Sequence, residues 1–490
     1  MNYISTRGGN EVVSSAQAIK QGIASNGGLF MPESIPTLTS DEIEALRSLS
    51  YPERAAKILS KFLEDYSEEE LLGYSRAAYG EQFVGGAAPV VAIDSGIKVL
   101  ELWHGPTCAF KDMALQIMPR LLSGALEKTG ESRQALILVA TSGDTGKAAL
   151  EGYKDVKNIS IMVFYPENGV SKAQKQQMVT QEGANVNVCA IRGNFDDAQS
   201  GVKRIFGDKE FANVLNEKGF FLSSANSINW GRLAPQIVYY VSAYCDLINQ
   251  NEIKLGDTID VCVPTGNFGN ILAAYIAKKM GLPVGKLICA SNQNNVLTDF
   301  LSTGVYDRNR EFHLTVSPSM DILISSNLER LLYLMAGPEK CAQYMKELAE
   351  CGRYAVDAET LAKIKEDFAG YFCGEDDCLA QIAYTFDKNG YLADTHTAVA
   401  LHSARAAKCD RPVVVASTAS PYKFAPAVAG ALGLSSEGEI NELFVTINEK
   451  SGMDVPAPLT DVLTKPVRFT KVIDVCDMPK SVLDFTKTLA

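Results

Sequence analysis

The stretch His104-Gly-Pro-Thr-Cys-Ala-Phe-Lys-Asp112 sets one lysine among small and aromatic residues, at a point where a loop turns into a helix. Apolar residues recur at 110, 113, 114, 117, 118, 121 and 122, so a helix with a wide buried stripe follows, and Lys111 falls in its first turn. Burial disfavours an ammonium, and the positive end of a helix acts in the same direction, so a lowered pKa is expected. A neutral amine can attack a carbonyl and form a Schiff base. The competing reading is a lysine whose stem lies on the core while its charge reaches water.

Two further strand-to-helix junctions are rich in glycine. Thr141-Ser-Gly-Asp-Thr-Gly-Lys147 ends as a nucleotide phosphate loop would. However, Thr141 stands where the first glycine belongs, and Ala148 replaces the hydroxyl residue that would hold magnesium. What remains is a turn of hydroxyls and N–H groups at a helix start, suited to a carboxylate. In Pro264-Thr-Gly-Asn-Phe-Gly-Asn270 a helix begins at once after Gly266 and Gly269, so backbone donors converge into an anion cradle. A dinucleotide site would add an acid about 20 residues on; the next strand ends in Ala290-Ser-Asn-Gln-Asn294, without one. Two glycines also serve simply to set a turn. A phosphate cradle together with a candidate amine is what pyridoxal phosphate requires.

The segments that must position these residues are short apolar runs at 135–140, 159–165, 186–192, 259–264, 286–291 and 412–417, separated by glycine-rich turns and amphipathic stretches. Continuous β-branched strands alternating with helices indicate parallel sheets covered on both faces, an α/β architecture. Residues 1–95 carry a mainly helical pattern, with capping boxes pairing Thr39 with Glu42 and Ser67 with Glu70. Gly85-Gly-Ala-Ala-Pro89 ends that region. The pattern from 300 to 410 is again largely helical, an insertion before the last strand.

A chain of 490 residues is too long for one core. Its formal net charge of −12 argues against nucleic acid and acidic membrane surfaces as partners. Specific local donors must therefore attract any anionic substrate. The 11 cysteines are scattered without a C-x-x-C pair, as expected of reduced thiols in the cytoplasm. The 4 histidines (His104, His313, His396, His402) lack metal-site spacing, and no metal is expected. No secretory leader or membrane-spanning run stands out, and a soluble monomer or homodimer is expected.

Taken in order, HGPTCAFKD, TSGDTG and PTGNFGN resemble the threonine synthase family of fold-type-II pyridoxal-phosphate enzymes. The likeness extends through YISTRGG, GGLFMPE, GVSKAQKQQM, SSANSINWGR, SNQNNVLTDFL, DTHTAVAL and STASPYKF, and so covers nearly the whole chain. It implies an architecture like the tryptophan synthase β-subunit. In this division a cofactor domain draws on 96–135 and 240–490, a smaller α/β domain on 136–239, and an N-terminal domain on 1–95. The implied reaction converts O-phospho-L-homoserine and water into L-threonine and phosphate, the last step of threonine biosynthesis, by loss of phosphate from Cγ and hydration at Cβ.

The resemblance also implies roles for individual residues. Lys111 would carry the cofactor and shuttle protons, with Phe110 supporting the ring. The backbone of Gly266, Asn267, Phe268, Gly269 and Asn270 would hold the cofactor phosphate, and Thr418 would meet the pyridine nitrogen. Ser142, Gly143, Asp144 and Thr145 would hold the substrate carboxylate, with Asp144 near the ring oxygen. Asn226, Ser227 and Arg232 would bind the substrate phosphate; Arg232 is suited to a bidentate grip. Read only as residues, Asn226 and Ser227 could instead cap the helix near Trp230, and Thr418 the one after Pro421. The chain departs from the family pattern at Ser420, where histidine is usual, and at Thr395, where proline is usual. A serine/threonine dehydratase is the nearest alternative and needs no second phosphate site. A non-catalytic scaffold is the alternative of a different class.

Overall fold

The computed structural model describes residues 1–489 other than Ser142, Gly169 and Ser171. The apolar runs form two sheets flanked by helices. Across the larger sheet the strands run Phe368–Phe372, Val284–Ser291, Ile259–Pro264, Val413–Ser417, Ile97–Glu101 and Val90–Ala92; all are parallel except the last, which pairs antiparallel with Ile97–Glu101. The smaller sheet is wholly parallel, in the order Val472–Asp474, Val186–Arg192, Ile159–Pro166, Gln134–Ala140 and Phe220–Ser223. Helices cover both faces, so the inner strands are buried end to end, which is why they read as unbroken apolar runs. The helix Trp230–Asn249 is buried along nearly its whole length and packs against Tyr51–Ser60, Gly269–Met280 and Asp112–Leu115.

Every segment that carries candidate chemistry leaves the carboxyl end of a parallel strand. Residues 104–111 follow Ile97–Glu101, residues 141–145 follow Gln134–Ala140, and residues 226–232 follow Phe220–Ser223. The 265–270 turn follows Ile259–Pro264, and Thr418 follows Val413–Ser417. Ligands of α/β sheets lie outside this end of the strands.

Several expectations need correction. The first 95 residues do form the helices Ser40–Leu46 and Glu68–Ala78, with both capping boxes in place. They also form an antiparallel sheet of Tyr3–Ser5, Val12–Val13 and Phe30–Pro32, and Val90–Ala92 crosses the expected boundary into the larger sheet. These strands are too short to show a period of two. The 300–410 segment is helical over Leu328–Ala336, Pro338–Cys351, Ala358–Asp367, Glu375–Asn389 and Thr395–Ala407, yet it also supplies the edge strand Phe368–Phe372. The last strand, Val472–Asp474, joins the smaller sheet instead of the larger one. Ile97–Glu101 is buried throughout although it contains Lys98 and Glu101. Lys98 donates to Glu252 at 2.6 Å, and Glu101 accepts from Tyr391 at 2.9 Å, so pairing offsets the burial of charge.

The helix expected to run on from Lys111 is broken into Asp112–Leu115 and Met118–Lys128. Pro119 has no N–H to give the Leu115 carbonyl, so the ladder cannot continue. That carbonyl packs instead on Gly152: a Cβ there would lie 1.9 Å from the Leu115 oxygen. Gly152 belongs to Asp144–Tyr153, the helix that starts at the carboxylate turn. We therefore expect Gly152→Ala to destabilise the fold by about 1–3 kcal/mol, the usual range for overpacking. A urea midpoint equal to that of the wild type would contradict this close approach.

Candidate active site

Lys111 is held by the strand neighbouring its own. The Phe110 N–H donates to the Thr418 carbonyl at 2.8 Å, the Ser420 N–H donates to Cys108 at 3.0 Å, and Ala109 bridges Ala419. This brief antiparallel pairing turns the chain through Cys108, whose φ is +56°, and presents Lys111 beside Thr418. The Lys111 Nζ lies 5.0 Å from the Phe110 ring centroid. Desolvation is the main influence on this ammonium and lowers its pKa; Asp144 opposes, Lys423 and Arg232 lower it further, Asp112 opposes, and the result is about 8. The helix behind Lys111 has only four residues, so burial and neighbouring cations act where a helix dipole was expected.

Asp144 begins its helix, is almost wholly buried, and pairs with Lys423 at 2.8 Å. Burial alone would raise its pKa, but Lys423 and Lys111, with a 3.1 Å bond from Gln174, outweigh burial and hold it well below the usual carboxylate range. Lys423 also donates to the Thr107 carbonyl at 2.8 Å, tying the turn before Lys111 to Asp144. Asp112 accepts from the Thr107 N–H and Oγ1 at 2.8 and 2.7 Å; burial is the stronger effect and raises its carboxyl to about 6. In the carboxylate turn Thr141 Oγ1 accepts from the N–H groups of Gly143 and Gly146 at 3.0 and 3.1 Å. A Cβ at position 143 would fall 2.4 Å from Gln174 Nε2, so a larger residue there would displace the Gln174 amide. Ser142 lies outside the described residues. Lys147 points away into an ion pair with Glu151 at 2.9 Å, which removes the last support for a nucleotide loop.

The second glycine turn fits a phosphate. The N–H groups of Gly266, Asn267, Phe268, Gly269 and Asn270 make no hydrogen bond among the described residues. Phe268 takes a left-handed conformation, φ +63°, at the start of Gly269–Met280, which gathers successive N–H groups into a concave nest. Tyr239 and Tyr240 both donate to Asn270 Oδ1, which fixes the carboxamide so that Nδ2 is a buried donor without a partner. Buried unpaired donors are rare in folded proteins and here converge on one place. One wall of the nest is the loop at Ser319 and Met320, against which Gly266 packs. Asn292 and Asn294 hold that loop by donating to Asp321 at 2.7 and 3.0 Å, and His396 holds it by accepting from the Ser319 N–H at 3.1 Å.

Arg232 lies in the first turn of Trp230–Asn249 and is buried without a carboxylate partner among the described residues. Nη1 donates to the Ala225 carbonyl at 2.8 Å, and Nε is unpartnered. Desolvation pushes this guanidinium down to about 10. The helix is capped by Asn229, which accepts from the Gly231 N–H, so neither Asn226 nor Ser227 is needed as its cap. Asn226 is exposed and its Oδ1 accepts from the Ser227 N–H at 2.7 Å, while its amide nitrogen makes no hydrogen bond among the described residues.

Thr418 is buried, its hydroxyl makes no hydrogen bond among the described residues, and it caps no helix. Ser420 is fully buried with an unpartnered Oγ. Thr395 occupies the first position of its helix, where proline is also accommodated, so this departure leaves the backbone undisturbed. Sequence reasoning missed Lys423, Gln174, Tyr239 and Tyr240. Lys423 stood inside STASPYKF, but its partner lies across the molecule and no spacing reveals the pair.

Family models described as threonine synthase N terminus, pyridoxal-phosphate dependent enzyme and threonine synthase C-terminal match residues 2–79, 93–418 and 397–481. The chain is 45% identical over 443 residues to human threonine synthase-like 1; this covers 87% of the chain but 58% of that relative's length. It is 39% identical over 435 residues to threonine synthase from Pseudomonas aeruginosa, covering 87% of the chain and 90% of the relative. A crystal structure of PLP-bound threonine synthase from Brucella melitensis superposes with a TM-score of 0.89 at 37% identity, over 99% of this chain and 100% of that one. The three family models together cover most of the chain, and the chain belongs to the threonine synthase family of pyridoxal-phosphate-dependent enzymes.

Proposed function

We propose that the protein converts O-phospho-L-homoserine and water into L-threonine and phosphate, acting in the cytoplasm as a monomer or homodimer. The carrying observation is the pair of anion-binding features at one amine: a nest of unpaired N–H groups at 266–270, and a buried guanidinium at Arg232 without a carboxylate. A dehydratase acting on serine or threonine has no use for the second. Among the described residues no helix is long and apolar enough to cross a membrane, and the cysteines are all free, which suits a reducing compartment.

In this reading the larger sheet carries the cofactor and the smaller one presents the substrate carboxylate to residues 142–145. Bound pyridoxal phosphate supplies an electron sink for charge developing next to the substrate amine. The nest and Asn270 Nδ2 would hold its phosphate, Phe110 would flank the ring, and Thr418 would meet the ring nitrogen. A hydroxyl there, unlike a carboxylate, does not favour a protonated nitrogen. Lys111 supplies the bonding amine and moves protons at the substrate Cα and Cβ, for which a pKa of about 8 is well placed. Asp144, kept ionised by Lys423, orients donors at the ring oxygen. Arg232, Asn226 and Ser227 grip the leaving phosphate and keep the site selective for a phosphorylated substrate.

Borohydride reduction followed by peptide mapping should place the pyridoxyl group on Lys111, and a label on any other lysine contradicts the assignment. Arg232→Ala should retain the cofactor spectrum and lower kcat/KM for phosphohomoserine by about 2–5 kcal/mol, the range for truncating one partner of a buried charge pair. Wild-type efficiency in that variant would mean the phosphate is held elsewhere. Lys423 lowers the Lys111 pKa, so removing its charge should raise it. In Lys423→Met, the pH at which the apoenzyme amine captures pyridoxal phosphate should move above the wild-type inflection near about 8. Cyanoborohydride trapping rates across pH measure it, and an unmoved or lower inflection contradicts the charge assignment.

A further inference from the structure

Asn327 precedes the helix Leu328–Ala336 yet makes no capping bond to it. It is fully buried, and its polar groups point elsewhere. Its N–H donates to the Asn267 carbonyl at 3.0 Å, inside the cofactor nest. Its Nδ2 donates to the Ser227 carbonyl at 3.3 Å, inside the loop before Arg232. The same Nδ2 would sit 3.2 Å from a Cβ on Gly269, so it packs on the floor of the nest. One residue therefore spans the two anion-binding loops, bonded to the nest through its backbone and to the 227 loop through its side chain. Its orientation is set by Arg330, whose Nη1 donates to Asn327 Oδ1.

Arg330 is itself without exposure to solvent. Nη2 donates to the Ile228 carbonyl at 2.5 Å and Nε to the Phe30 carbonyl at 3.1 Å. It has no carboxylate at ion-pair distance among the described residues, and desolvation depresses the guanidinium to about 9. A buried cation satisfied by carbonyls and the face of Trp230, with no carboxylate, is an unfavourable arrangement for stability alone. It is well suited to holding neutral loops in place beside sites that receive anions.

We propose that Asn327, oriented by Arg330, is a positioning residue that fixes the spacing between the cofactor-phosphate nest and the substrate-phosphate loop. This rests on the reading of Arg232, Asn226 and Ser227 as the second phosphate site. Moving the Ser227 backbone relative to the nest displaces the substrate phosphate from the reacting carbons, while substrates lacking a phosphate are unaffected.

The test compares holoenzyme carrying Asn327→Asp with holoenzyme carrying Asn327→Ala. Asn327→Asp keeps the acceptor for Arg330 and loses the donor to Ser227; Asn327→Ala adds no charge. Both should keep wild-type cofactor content by visible absorbance. In both, KM for phosphohomoserine and the dissociation constant of inorganic phosphate should rise about tenfold, the scale of a misplaced hydrogen bond to a charged group. Slow turnover of L-serine should change less than twofold. Phosphate binding equal to wild type in both variants overturns the proposal, and so does a parallel loss of cofactor, thermal stability and L-serine turnover, which marks a purely structural role. If the wild type fails to turn over phosphohomoserine, the functional reading falls. Phosphate titrations of the holoenzymes, followed by the cofactor spectrum, still decide the role of Asn327.

Discussion

The site depends on a pairing of a few residues at the end of the larger sheet. A parallel sheet delivers its loops to one edge but does not by itself register one loop against another. The bonds from Phe110 to Thr418 and from Ser420 to Cys108 supply that register. They place the amine and the hydroxyl from neighbouring strands in a fixed relation, and they depend on the left-handed turn at Cys108. Lys423, three residues past Ser420, then reaches back to Thr107 and across to Asp144. A displacement of the 418–423 segment would thus move Lys111, Thr418 and the turn at Asp144 together.

Electrostatics explains why so costly a site is kept. Lys111, Lys423 and Arg232 share the site with Asp144 and Asp112 in a chain whose formal net charge is −12. Buried cations in excess of carboxylates destabilise a fold unless anions arrive to pair them. The nest at 266–270 and the unpartnered Nε of Arg232 leave donors that two such anions would satisfy on the proposed reading. The burial that opposes folding also depresses Lys111 and strengthens any bond made to a phosphate.

Much of this was legible in the sequence, for physical reasons. Parallel strands covered on both faces must be apolar at every position, so the central strands were readable to within a residue or two. Glycine turns announce themselves because other residues crowd the backbone, as at Gly266, where a Cβ would lie 3.1 Å from the Ser319 carbonyl oxygen. Ile97–Glu101 was hidden because its charges are met by partners distant in the chain, an ion pair with Glu252 and a hydrogen bond from Tyr391. The strand Val472–Asp474 went unread within the 240–490 region because three residues are too few to show a pattern. The supporting residues Lys423, Tyr239, Tyr240 and Asn327 act through contacts that exist only once the sheets have assembled. No local pattern marks them.

The central claim is that two anion sites face one amine, so that a phosphate ester is both the handle and the leaving group. The most direct measurement is the stoichiometry of turnover by the wild-type holoenzyme supplied with O-phospho-L-homoserine, following inorganic phosphate and L-threonine together. The account predicts one L-threonine for each phosphate released, with turnover of L-serine or L-threonine far slower. Phosphate release without threonine, or faster deamination of L-serine than consumption of phosphohomoserine, would contradict it.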